Sequence, residues 1–145
     1  MPFEKSVLVP LNADETFALI TQPDRLRRWQ VITARVDLRA GGEYRWTVIP
    51  GNSAAGTFTE VEPGRRVVFT WGWEAEDSPV PPGSSTVEIE LIGEPDGTLI
   101  KLTHRDLPTA EAADSHADGW DHYLERLKMV GGGDPGADPW LTGQM

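Results

Sequence analysis

The chain has 145 residues, no cysteine and a formal net charge of −10, which suits one domain able to bury a core of its own. Without cysteine there is no disulfide framework, no thiolate metal site and no cysteine nucleophile. The acidity speaks against nucleic acid and anionic membranes, whose phosphates need clustered Lys and Arg; the one basic cluster is Arg25, Arg27 and Arg28.

Nothing in the chain approaches the roughly 20 apolar residues that span a bilayer. Met1 to Lys5 lacks the basic-then-apolar pattern of a signal peptide, so a cytoplasmic location is expected.

Phe3 to Pro10 reads as a short strand. Asn12 is a helix cap with Glu15 three residues on, and Phe17, Leu19 and Ile20 give that helix an apolar side. Pro23 ends it, and Asp24 to Trp29 reads as a second short helix capped by Asp24. Antiparallel strands follow. Ile32 to Leu38 leads to a Gly41-Gly42 turn, after which Tyr44, Trp46 and Val48 alternate with polar residues. Pro50 to Ser53 turns the chain, Gly56 to Glu62 returns with Phe58 on one face, and Glu62-Pro63-Gly64-Arg65 turns it again. Arg66 to Trp73 places Val67, Phe69, Trp71 and Trp73 on one face.

Glu74 to Gly83 is a proline-rich loop, long enough to sit over a functional opening. Ser84 to Ile92 turns Val87, Ile89 and Leu91 inward, and Thr98 to His104 does the same with Ile100, Leu102 and His104. A long helix, Thr109 to Val130, carries Ala113, His116, Ala117, Trp120, Tyr123, Leu124 and Leu127 at steps of three and four, hence on one face. Gly119 interrupts it at a cost of about 1 kcal/mol relative to alanine, which is either tolerated or explained by a close approach to the backbone. Gly131 to Gly133 and Pro135 stop it. Residues 131–145, with Trp140, form a flexible tail by composition, leaving 1–130 as a single domain. The class is α+β: a curved antiparallel sheet of six to seven strands wrapped around the one long helix.

The inner face uses bulky rings where aliphatics would pack well. Tyr44, Trp46, Phe58, Phe69, Trp71, Trp73 and Trp120, with Ile89 and Leu102, are either core or the wall of a ligand pocket; buried indole N–H groups need partners that a ligand can supply. His104 and His116 point the same way and are the candidate acid–base groups, set against a structural reading as hydrogen-bonded core histidines. Their spacing makes no metal motif, and no metal or cofactor is expected. Ser84-Ser85 falls in a turn, and Gly131 to Gly136 fits GxGxxG in letters only, following a helix instead of a strand.

The element order, with Asn12 to Trp29, Gly41-Gly42-Glu43-Tyr44-Arg45, Gly56 to Trp71 and His116-Ala117-Asp118-Gly119-Trp120, resembles the helix-grip superfamily called START-like or SRPBCC. Within it, the chain is similar to the Hsp90-ATPase-activator-homologue family over about residues 3 to 130. The departures are a proline displaced to Pro10 and Gln30 where an aromatic is common. The resemblance implies a cavity between sheet and long helix that takes apolar small molecules, with catalysis in some members. Co-chaperones of the activator name carry a further N-terminal domain for which this chain has no room, so Hsp90 stimulation is not expected.

Three readings follow: a binder of a small apolar or aromatic ligand; a cavity enzyme of cyclase, dehydratase or hydrolase type using His104 or His116; and a stress- or chaperone-type interaction module. A homodimer is compatible with all three.

Overall fold

A computed structural model describes residues 3–29, 31–49, 52–75 and 78–132. In chain order these form β1 (Phe3–Val9), α1 (Ala13–Thr21), α2 (Pro23–Leu26), β2 (Thr33–Val36), β3 (Glu43–Ile49), β4 (Asn52–Glu62), β5 (Arg66–Trp71), β6 (Ser85–Glu94), β7 (Gly97–Arg105) and α3 (Ala110–Gly132). One seven-stranded sheet runs β1-β7-β6-β5-β4-β3-β2, antiparallel throughout. The expected α+β architecture, a curved sheet with two short helices after the first strand and a long helix at the end, is the one found. The tail containing Trp140 lies outside the described residues, apart from Gly131 and Gly132, which extend α3.

Period-two alternation builds the sheet's inner wall. Tyr44, Trp46 and Val48 of β3 are buried, as are Val67, Phe69 and Trp71 of β5. Register carries the pattern across strands, with Phe58 opposite Phe69, Val87 opposite His104 and Ile89 opposite Leu102. On the outer face the same register sets Arg66 opposite Glu90, where its guanidinium also meets Glu60 and Glu88. In α3 the buried stripe is Ala112, Trp120, Tyr123, Leu124, Leu127 and Val130, with His116 and Ala117 half-buried. Ala112 replaces the expected Ala113 as the stripe's first fully buried residue.

Several boundaries differ from expectation for identifiable reasons. The second helix is capped by Gln22 and starts at Pro23, not after an Asp24 cap. Gln22 donates its N–H to Ala18 O and so closes α1, while proline suits the first helical position because no intrahelical partner awaits its missing N–H. Trp29 lies in the turn beyond α2 and donates its indole N–H to Leu19 O at 2.7 Å. β4 starts at Asn52, four residues before Gly56, because Ser53 and Ala54 pair with Thr47 and Trp46. β5 ends at Trp71 instead of Trp73.

A Cβ on Gly72 would lie 2.0 Å from the Pro81 carbonyl oxygen, so the proline-rich loop folds back onto the chain there. The backbone of Trp73 makes an isolated bridge to Ala54 and donates its N–H to Val80 O at 2.7 Å. The loop sends Val80 into the core, 1 % exposed, while its Glu74, Pro82 and Gly83 line an open cleft. A Cβ on Gly119 would meet nothing within 4 Å, so close backbone approach does not explain that glycine.

Candidate functional site

The inner wall begins as an aromatic cluster on the sheet. Tyr44 contacts Trp46, Phe58 and Phe69 with ring centroids 5.1–5.5 Å apart, and Trp46 reaches Trp71 at 5.7 Å. Burial pushes the Tyr44 phenol well above its ordinary pKa, and its neutral O–H donates to Thr70 O at 2.6 Å. Trp71 is the hub between sheet and helix. Its ring lies 5.5 Å from Trp73, 5.8 Å from His104, 6.4 Å from His116 and 5.4 Å from Trp120. The strand and helix periods therefore bring the expected residues to one wall: Ile89 and Leu102 flank it as a cross-strand pair, and Trp73 sits half-buried at its rim.

The two histidines are tied down by indoles. Trp120 donates its indole N–H to His104 Nδ1 at 3.0 Å, which places the imidazole proton on Nε2. That nitrogen lies 2.8 Å from Ser85 Oγ, and the Ser85 hydroxyl donates onward to Trp71 O at 2.9 Å. Trp73 donates to His116 Nε2 at 3.0 Å, so His116 carries its proton on Nδ1, 2.7 Å from Ala112 O. The rings stand edge to face with centroids 5.1 Å apart. Burial, with the His116 charge opposing a second one, lowers the His104 pKa to about 3; burial also lowers that of His116. Both imidazoles are neutral near pH 7, and every ring nitrogen of the pair is engaged.

Ser85 corrects the expectation of a turn: it opens β6, 1 % exposed and bonded to a histidine. Strand parity held the signal, since two steps back from Val87 reaches Ser85 on the inner face. The pair does not amount to an activated nucleophile. A general-base histidine must accept the serine proton through a free nitrogen, whereas the Trp120 bond forces Nε2 of His104 to donate.

Two groups on this wall lack partners. The indole N–H groups of Trp46 and Trp71 are buried, with no hydrogen-bond acceptor among the described residues. Each such donor costs about 1–3 kcal/mol, and such groups mark sites where a further partner belongs. Among the described residues no group of three or more His, Asp or Glu gathers as a metal site, and no helix is long and apolar enough to cross a membrane.

Elsewhere, an open cleft of about 730 Å³ lies on the outer face of β2–β5. Its lining mixes Arg35 and Arg45 with Asp37, Glu43 and Glu74, and Arg45 is bonded to Glu74 at 2.8 Å.

The family model described as Activator of Hsp90 ATPase homolog 1-like protein matches residues 10–132. Among solved structures, an AHSA1-like protein from Rhizobium etli is 40% identical, covers 97% of this chain and 88% of its own, and superposes with a TM-score of 0.78. CalU16 from Micromonospora echinospora is 29% identical over 90% of this chain and 74% of its own, with a TM-score of 0.69. An Hsp90 activator from Plasmodium falciparum is 24% identical over 91% and 96%, with a TM-score of 0.73, a likeness that extends to the fold alone. Comparison with curated proteins gives no match.

Proposed function

We propose, from the premise that the chain belongs to the Activator of Hsp90 ATPase homolog 1-like family, that it binds a small apolar or aromatic ligand between the inner face of the sheet and α3. The observation that carries this reading is the pair of buried, unpartnered indole N–H groups on Trp46 and Trp71, in the middle of a continuous aromatic wall. A core selected only for packing has no use for two orphaned donors, because an aliphatic or phenyl side chain fills space without them. Apolar walls with a few placed polar groups are the usual form of a small-molecule site.

The histidine–indole bonds act as struts. Trp73 to His116 and Trp120 to His104 join the strand side to the helix and hold the two faces of the site in fixed register. With both imidazoles neutral and occupied, the chemistry best supported is binding without turnover.

Native mass spectrometry of freshly purified protein, followed by tryptophan fluorescence titration with aromatic, sterol-like and acyl compounds, tests the reading. A co-purified mass or saturable quenching with a spectral shift is expected. Trp46→Phe with Trp71→Phe should weaken binding at least tenfold while far-UV circular dichroism is preserved. Unchanged affinity in that folded double variant would remove the assignment of this wall.

A further inference from the structure

We infer that the ligand of the inner site is uncharged and carries a hydrogen-bond acceptor of the carbonyl type on an aromatic frame. This inference rests on the binding role proposed above and adds what the unused polar groups of the wall demand.

The polar inventory of the wall leaves donors unanswered. The hydroxyl protons of Tyr44 and Ser85 go to Thr70 O and Trp71 O. The indoles of Trp29, Trp73 and Trp120 donate to Leu19 O, His116 and His104. The imidazole nitrogens that could accept are filled by those indoles, and the other two face Ser85 Oγ and Ala112 O. Among the described residues, what remains unpartnered is two donors, Trp46 Nε1 and Trp71 Nε1. Each of these donors calls for an acceptor, and a carbonyl oxygen with two lone pairs answers one donor or both while asking for no acceptor in return.

Charge is excluded by the same surroundings. Among the described residues the buried polar ones are Thr16, Thr21, Ser53, Ser85, Thr98 and His104, with no Asp, Glu, Lys or Arg among them. An ammonium or carboxylate brought to Trp71 would lose its hydration and meet no counter-ion, a penalty of several kcal/mol even after relaxation. The Lys5 ammonium of β1 is already held by Asp121 at 3.0 Å. Ring-on-ring contact favours an aromatic frame over an aliphatic one, because offset and edge-to-face packing adds about 0.5–1.5 kcal/mol beyond area.

The test uses probes of equal shape that differ in one group: fluorene against fluorenone, and diphenylmethane against benzophenone, titrated into the full-length ¹⁵N-labelled protein. Fluorene-9-carboxylate and 9-aminofluorene supply the charged arms. Each ketone is expected to bind at least tenfold more tightly than its hydrocarbon, and the charged compounds more weakly than the ketone. Of the indole N–H resonances, assigned from Overhauser contacts, those of Trp46 and Trp71 should shift with ketone and hold with hydrocarbon.

Equal affinity for ketone and hydrocarbon overturns the acceptor requirement and leaves the binding role standing. Binding of neither class overturns both. Tighter ketone binding with only the Trp73 or Trp120 resonances moving also overturns the inference, because it assigns the donor elsewhere. No substitution is needed, so a folding defect does not enter.

Discussion

At the scale of single residues, His104 has a measurable signature. In the unfolded chain its imidazole takes up a proton near pH 6.5, whereas in the native protein burial and the neighbouring His116 delay this to about pH 3. Between those values the unfolded state binds more protons, so the stability His104 contributes is complete above pH 6.5 and is lost as pH falls toward 3. The limiting slope is about 1.4 kcal/mol per pH unit for one site. His116, lowered in the same direction, adds to it. His104→Gln retains one acceptor for Trp120 and one donor for Ser85 without titrating. Urea denaturation between pH 4 and 7 should show a flatter dependence in that variant, by nearly one proton. An unchanged slope would mean that His104 already titrates in the native state.

At the scale of elements, two glycines make opposite predictions. Gly119 lies in α3 with open space where a Cβ would stand. Gly119→Ala should therefore stabilise the protein by about 0.5–1 kcal/mol through helix propensity and reduced unfolded-state entropy, read as a higher urea midpoint. Gly72 has the Pro81 carbonyl 2.0 Å from the same position. Gly72→Ala must push the loop away, unseating Val80 and the bond from Trp73 N–H to Val80 O. A loss of at least about 2 kcal/mol is expected from overpacking of this kind, through backbone that cannot yield locally. A Gly72→Ala variant with wild-type stability would show that the loop is free to move. At the helix start of α1, Asn12 Oδ1 accepts the Glu15 N–H at 2.8 Å, and Asn12→Ala should cost about 1 kcal/mol.

At the scale of the whole molecule, the sheet is closed by its most distant pairing. β1 lies on β7, with Phe3 opposite His104 and Val9 opposite Thr98. It also supplies Val7 and Val9 to the core and Lys5 to the acids of α3. Deleting residues 1–9 would expose β7 as an unprotected edge beside α3. The truncated chain should lose its cooperative urea transition and elute as aggregates in gel filtration; a monomeric, cooperatively unfolding product would place the stability of the sheet elsewhere.

The chain's own pattern was enough for most of what depends on local periodicity. Alternation in β3, β5, β6 and β7 and the three-four steps of α3 named the inner wall, because side-chain direction follows directly from backbone period. That is why Trp46, Trp71, His104 and Trp120 are legible as neighbours from periodicity alone. Parity also implied Ser85, which a turn assignment hid. What periodicity cannot carry is pairing across the fold. Which nitrogen of His104 holds its proton depends on Trp120, sixteen residues away on another element. Whether an indole N–H finds an acceptor depends on every group packed around it, so the satisfied Trp29, Trp73 and Trp120 and the orphaned Trp46 and Trp71 look alike in sequence. The loop's return onto Gly72 was hidden for the same reason: a glycine reports that space is needed, and only the tertiary structure says what fills it.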